Sequence, residues 1–139
     1  MAINTRTEYA LRALLEILNS EGEAVSAAEI CRRQMLPKKY IEHLLAGLKA
    51  ALIVSSTAGA RGGYILARDP GQIRLHDIMQ AVDDTSWELG CNGKDDKYCL
   101  GTECRLHGIW NEIADKLHNT LQEYTLAYIF EQNKTRETS

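Results

Sequence analysis

Three thiols and one imidazole crowd into seventeen residues, CNGKDDKYCLGTECRLH, running from Cys91 to His107 with the spacing C-x7-C-x4-C-x2-H. The segment carries glycine and aspartate and shows no apolar period, so it cannot bury a core of its own. Soft and borderline ligands at this density suit a metal ion or an iron–sulfur cluster, which would order the segment around itself. Cys104 and His107 lie one helical turn apart in number. A helix beginning near Thr102 would put both on one face and would favour a thiolate at Cys104 through its unpaired N–H groups. Structural zinc more often shows paired C-x2-C spacings, but zinc stays open as an alternative, as does a bare thiol sensor. A disulfide framework is not expected: Cys31 sits far away in a predicted helix, and no secretory leader is apparent.

These groups need elements to position them, and the composition supports an ordinary globular chain. Its 139 residues are 45% hydrophobic and 25% charged, enough for one core and an appended arm. No apolar run is long enough to span a bilayer, so a cytoplasmic location is expected, where thiols stay reduced. The net charge of −3 hides a division: residues 1–74 carry a balance of +3 and residues 75–139 a balance of −6. The first part could therefore face phosphate. No Ser-His-Asp constellation, phosphate loop or paired-carboxylate site is apparent, so neither an enzyme nor a small-molecule substrate is expected.

Thr5-x-x-Glu8 reads as a capping box for a first helix that buries Leu11, Leu14, Leu15 and Leu18 and ends before Gly22. A second box, Ser26-x-x-Glu29, opens a short helix, and Pro37 marks the first position of a third. That third helix turns Ile41, Leu44, Leu45 and Leu48 inward and Lys38, Lys39, Glu42, His43 and Lys49 outward. A short capped helix, a tight break and a second helix with a basic first turn is helix-turn-helix spacing. Leu52–Val54 and Tyr64–Leu66 are β-prone runs joined through Gly59-Ala60-Arg61-Gly62-Gly63, a hairpin that would act as a wing with Arg61 at its tip, suited to phosphate or a narrow minor groove. Leu75, Ile78, Met79 and Val82 predict a closing helix. Beyond the cysteines, Leu106, Trp110, Ile113, Leu117, Leu121, Tyr124 and Tyr128 predict one helix running to about Glu131, roughly 40 Å long. Such a helix has more apolar surface than a small winged domain can cover, so it is expected to pair with a second copy of itself.

In order, the blocks YALRALLEI, VSAAEICRRQMLPKKYIEHLLAGLKAALI, GGYILARDP, the cysteine segment with CRLHGIW, and TLAYIFE resemble the IscR/NsrR/CymR family of winged-helix regulators across nearly the whole chain. The resemblance implies a homodimeric bacterial regulator bound to a palindromic DNA operator. In its IscR-like branch it implies a [2Fe-2S] cluster, favoured over [4Fe-4S], held by Cys91, Cys99, Cys104 and His107. It also implies DNA contacts from Lys38, Lys39, Tyr40, Glu42, His43 and Arg61. Some relatives take an acidic ligand from the first helix of the partner subunit, and Glu8 occupies about that place. The chain departs from the pattern in a longer interval between the first two cysteines. It also has His43 where Gln is frequent, and its wing arginine is at Arg61 rather than at the position of Ala58.

The expected fold is mainly α with a small β-hairpin wing: a winged helix-turn-helix domain over 1–82, a cysteine-bearing loop over 83–104, a long C-terminal dimerisation helix over 105–132 and a flexible tail over 133–139. The expected function is a DNA-binding regulator, a repressor, that senses cluster, iron, redox or nitric oxide status. A cluster-free thiol- or partner-responsive regulator of the same fold and a small electron-transfer protein are the alternatives.

Overall fold

The computed structural model describes residues 4–88 and 98–137. Helix α1 (Thr5–Asn19) is capped by Asn4, whose side chain accepts from the Arg6 N–H, so the expected Thr5 box is not the cap used. An Asn carboxamide at the N-cap does this work at least as well as a threonine hydroxyl. The face it buries is Ala10, Ala13, Leu14 and Ile17, with Leu11 and Leu18 only flanking the core. Small alanines let α1 approach its neighbours closely and turn the helix away from the leucine stripe expected of it. Helix α2 (Ala27–Gln34) begins as its box predicts, with the Ser26 hydroxyl accepting from Glu29 N–H at 3.1 Å.

The chain then reverses through Met35, in the left-handed region at φ 55°, and enters α3 (Lys38–Ala50) with Pro37 as its N-cap. Ile41, Leu44, Leu45 and Leu48 are all buried, as their spacing predicts. Strand β1 (Val54–Thr57) pairs antiparallel with β2 (Gly63–Leu66), Val54 opposite Leu66 and Thr57 opposite Gly63. Leu52, expected in the strand, instead leaves α3 at φ 60°. Val25 adds a short third rung by exchanging hydrogen bonds with Tyr64. Gly63 permits that approach, since a Cβ there would collide with the Val25 carbonyl.

After a 3-10 turn at Pro70–Gln72, α4 (Leu75–Ala81) closes the head. A second 3-10 turn at Gly101–Glu103 precedes α5 (His107–Glu123). The single helix expected over 105–132 is two. Tyr124 is extended and its carbonyl accepts from Leu75 N–H at 2.8 Å, while the Thr125 hydroxyl accepts from Tyr128 N–H and starts α6 (Leu126–Glu137). The interval expected to be a flexible tail is helical through Glu137. Leu126 is fully buried, its N–H bonded to the Ile73 carbonyl, so α6 returns to the head and completes its core. Among the described residues, six helices and a two-stranded antiparallel hairpin make the winged helix-turn-helix architecture that the sequence implies. Among the described residues, no helix is long and apolar enough to cross a membrane.

Candidate nucleic-acid interface and cysteine segment

On the outer side of α3, Lys38, Lys39, Glu42, His43 and Lys49 are exposed, opposite its four buried aliphatic residues. Lys38 and Glu42 form a loose pair at 4.0 Å. In water such a pair contributes little, so the lysine can leave it for a phosphate. Tyr40 is half-buried and meets Tyr9 of α1 edge-on, with ring centroids 5.7 Å apart. It therefore braces α3 against α1 as well as standing in its first turn. Arg61 is exposed in the wing, where the Gly62 N–H closes the turn onto the Gly59 carbonyl at 3.0 Å.

Behind this face, α2 is fastened by charge. Glu29 lies 2.5 Å from Arg32 and 2.8 Å from Arg33, and hydrogen bonds from the two guanidiniums push its carboxyl down to about 2. Arg12 of α1 donates to Gln34, whose amide in turn donates to Glu16. The first half of the helix-turn-helix is thus tied to α1 by a polar lattice, which leaves the first turn of α3 unobstructed.

The cysteine segment begins where α4 ends. Asp84 is 2% exposed; its carboxylate accepts from the Thr7 hydroxyl of α1 and from the Ser86 N–H at 3.0 Å and the Ser86 hydroxyl at 2.6 Å. Burial acts to raise its proton affinity, but the Ser86 and Thr7 hydrogen bonds outweigh burial and hold it below the usual carboxylate range. Arg6 of α1 also donates to the Asp83 carbonyl at 3.0 Å. The segment is therefore rooted on α1. Exposed Glu8, in the first turn of α1, stands one residue from this root.

Cys99 and Cys104 are half-exposed free thiols, and the Cys99 sulfur accepts from the Gly101 N–H at 3.4 Å. Cys104 ends the 3-10 turn in an extended conformation, so it does not share a helix face with His107, which begins α5. The two are linked instead by a turn, with His107 N–H donating to the Cys104 carbonyl at 3.3 Å. His107 Nε2 is 3.1 Å from the Asn111 amide. Cys91 lies outside the described residues. Among the described residues, no three His, Cys, Asp or Glu side chains stand together as a metal site. The donor set present nevertheless fits a cluster: accessible thiols, a backbone N–H aimed at sulfur, and an imidazole steadied through one nitrogen. Cys31 is buried in the core and burial pushes its thiol up, as expected for a packing residue.

Several residues at this site carry no sequence signal. Thr7 and Asp84 are 77 positions apart, and His76, Trp87 and His118 come together from three segments.

Known proteins resemble this arrangement throughout. A family profile for Rrf2, described as an iron-dependent transcriptional regulator, matches residues 3–132. The HTH-type transcriptional regulator IscR of Cronobacter sakazakii is 33% identical over 141 aligned positions, covering all of this chain and 86% of that protein. Among solved structures, T. potens IscR superposes with a TM-score of 0.71 at 28% identity, covering 96% of this chain and 88% of that one. CymR, the global cysteine regulator of B. subtilis, gives 0.74 at 25% identity, covering 95% and 98%.

Proposed function

Because the chain belongs to the Rrf2 family of transcriptional regulators, we propose that it is a DNA-binding repressor whose affinity is set by an iron–sulfur cluster on its cysteine segment. Its relatives are regulators, and it is not an enzyme. In this reading residues 1–82 form the reading head, 83–104 the sensing connector and 105–132 the pairing region, followed by the tail 133–139. Lys38, Lys39, Tyr40, Glu42, His43 and Arg61 meet DNA. Cys91, Cys99, Cys104 and His107 hold the cluster, as [2Fe-2S] rather than [4Fe-4S], with Glu8 of a second copy as the alternative ligand and zinc as the alternative metal. The cluster would supply a redox-labile, acid-labile cross-link; the chain's own residues supply everything else. The protein acts in the cytoplasm as a homodimer on a palindromic operator.

One observation carries this reading. The connector bearing Cys99 and Cys104 runs between α4, which packs on the reading helix α3, and α5, which packs on α4. Ordering the connector therefore bears on the seat of the reading helix through packed elements. A coupling of about 1–3 kcal/mol along that route changes operator affinity roughly five- to 150-fold. The apolar face of α5, with Ile109 45%, Trp110 43% and Ile113 39% exposed, supports pairing with a second copy.

Anaerobic purification followed by iron, sulfide and zinc quantification tests the cofactor. Wild type is expected to carry iron and sulfide with visible charge-transfer absorption, and Cys99→Ala to lose both. Selection of bound duplexes from a random DNA pool tests the head, with Arg61→Ala expected to weaken binding and flatten its salt dependence by about one phosphate contact. Colourless protein with no metal that still selects a duplex would favour a second reading, a cluster-free thiol- or partner-responsive regulator, which the likeness to CymR supports.

A further inference from the structure

At the joint between α4 and α5, three rings meet outside the residues assigned above to DNA or to the cluster. His76 of α4 is 6% exposed. Its ring lies edge-on to Trp87, with centroids 4.8 Å apart, and edge-on to His118 of α5 at 4.6 Å. Trp87 closes the triangle at 5.8 Å from His118. Among the described residues, the buried indole N–H of Trp87 has no hydrogen-bond partner. Gln122, one turn beyond His118 on α5, brings its amide nitrogen to 3.1 Å from His76 Nδ1. Arg74, at the start of α4, fixes Gln122 by donating to its carbonyl at 3.1 Å. This hydrogen bond ties the buried His76 ring of α4 directly to α5.

We infer that the His76–Trp87–His118 cluster is a proton-released latch that clasps α5 to the reading head while the buried His76 ring is neutral and lets go when that ring takes up a proton. The groups facing His76 agree. Burial disfavours its charge most, and His118 on α5 adds like-charge repulsion; together they outweigh Asp77 on its own helix and Glu88 beside Trp87, so its proton affinity lies below the ordinary histidine value. The Arg74 guanidinium adds positive charge on the Gln122 side. The sign follows: the docked helix binds fewer protons than the released one, so docking is strongest above the ordinary histidine value of about 6.5 and weakens as pH falls below it. The latch operates whether or not the thiols hold a cofactor.

The test is imidazole NMR titration of the full chain, combined with amide hydrogen exchange at pH values on either side of that point. The His76 ring is expected to titrate below the ordinary value. Amides in the second half of α5 should lose protection about fivefold or more relative to those of α3 across the same step. His118→Phe keeps a ring in place and should move the His76 titration upward. His76→Gln, neutral at every pH, should abolish the pH dependence of α5 exchange while α3 exchange stays as in wild type. A His76 ring titrating at or above the ordinary value, or α5 amides that track α3 across the pH step, overturns the proposal. These wild-type measurements decide it even if His76→Gln does not fold.

Discussion

Asp84 is the residue on which the cysteine segment is hung, and its chemistry sets a testable pH signature. Its carboxylate is favoured in the folded chain by Thr7 and Ser86. Its stabilising effect is therefore present above the ordinary aspartate value of about 3.9 and is lost as pH falls through and below it. Asp84→Asn should cost about 1–3 kcal/mol at neutral pH, read by urea unfolding, with the two proteins converging in acid. Nothing in the sequence announced this contact, because a buried carboxylate is recognised only by the hydroxyl it meets and Thr7 lies 77 residues earlier. The candidate residues of the cysteine segment were more legible: Cys99, Cys104 and His107 stand out by type and spacing alone. Their relative geometry was not, since Cys104 leaves the 3-10 turn in an extended conformation and a further turn separates it from the helix that His107 begins.

Among the elements, α3 was readable in full because its buried and exposed residues follow one helical period without exception. The buried face of α1 was misjudged because its alanines, which allow the closest approach, look weaker than the leucines beside them. Helices α5 and α6 looked like one because the apolar steps continue through Tyr124 and Tyr128. The break comes from the start of α4, where the Leu75 N–H donates to the Tyr124 carbonyl, although Thr125 was available as a cap. The crossing of α3 and α4 offers a sharp test. Gly47 leaves no room for a Cβ against the Ala81 carbonyl, so Gly47→Ala should push the two helices apart. An overpacking cost of about 1–3 kcal/mol is expected, visible as a lower urea midpoint at an unchanged slope.

For the whole molecule, the proposed assembly through α5 predicts that Ile113→Asp, placing a charge in the apolar face, converts a dimer to a monomer in size-exclusion chromatography with light scattering. It should leave the helical circular dichroism of the head intact. The head also depends on the far end of the chain. Leu126, from beyond the connector and α5, fills a fully enclosed position among the side chains of the head. Leu126→Ala should cost about 2–5 kcal/mol, measured by thermal or urea unfolding. A chain emerging from the ribosome therefore lacks the plug of its DNA-reading unit until α6 has been made. A nascent or prematurely terminated product would expose an unfinished interior rather than compete with intact copies for operator sites.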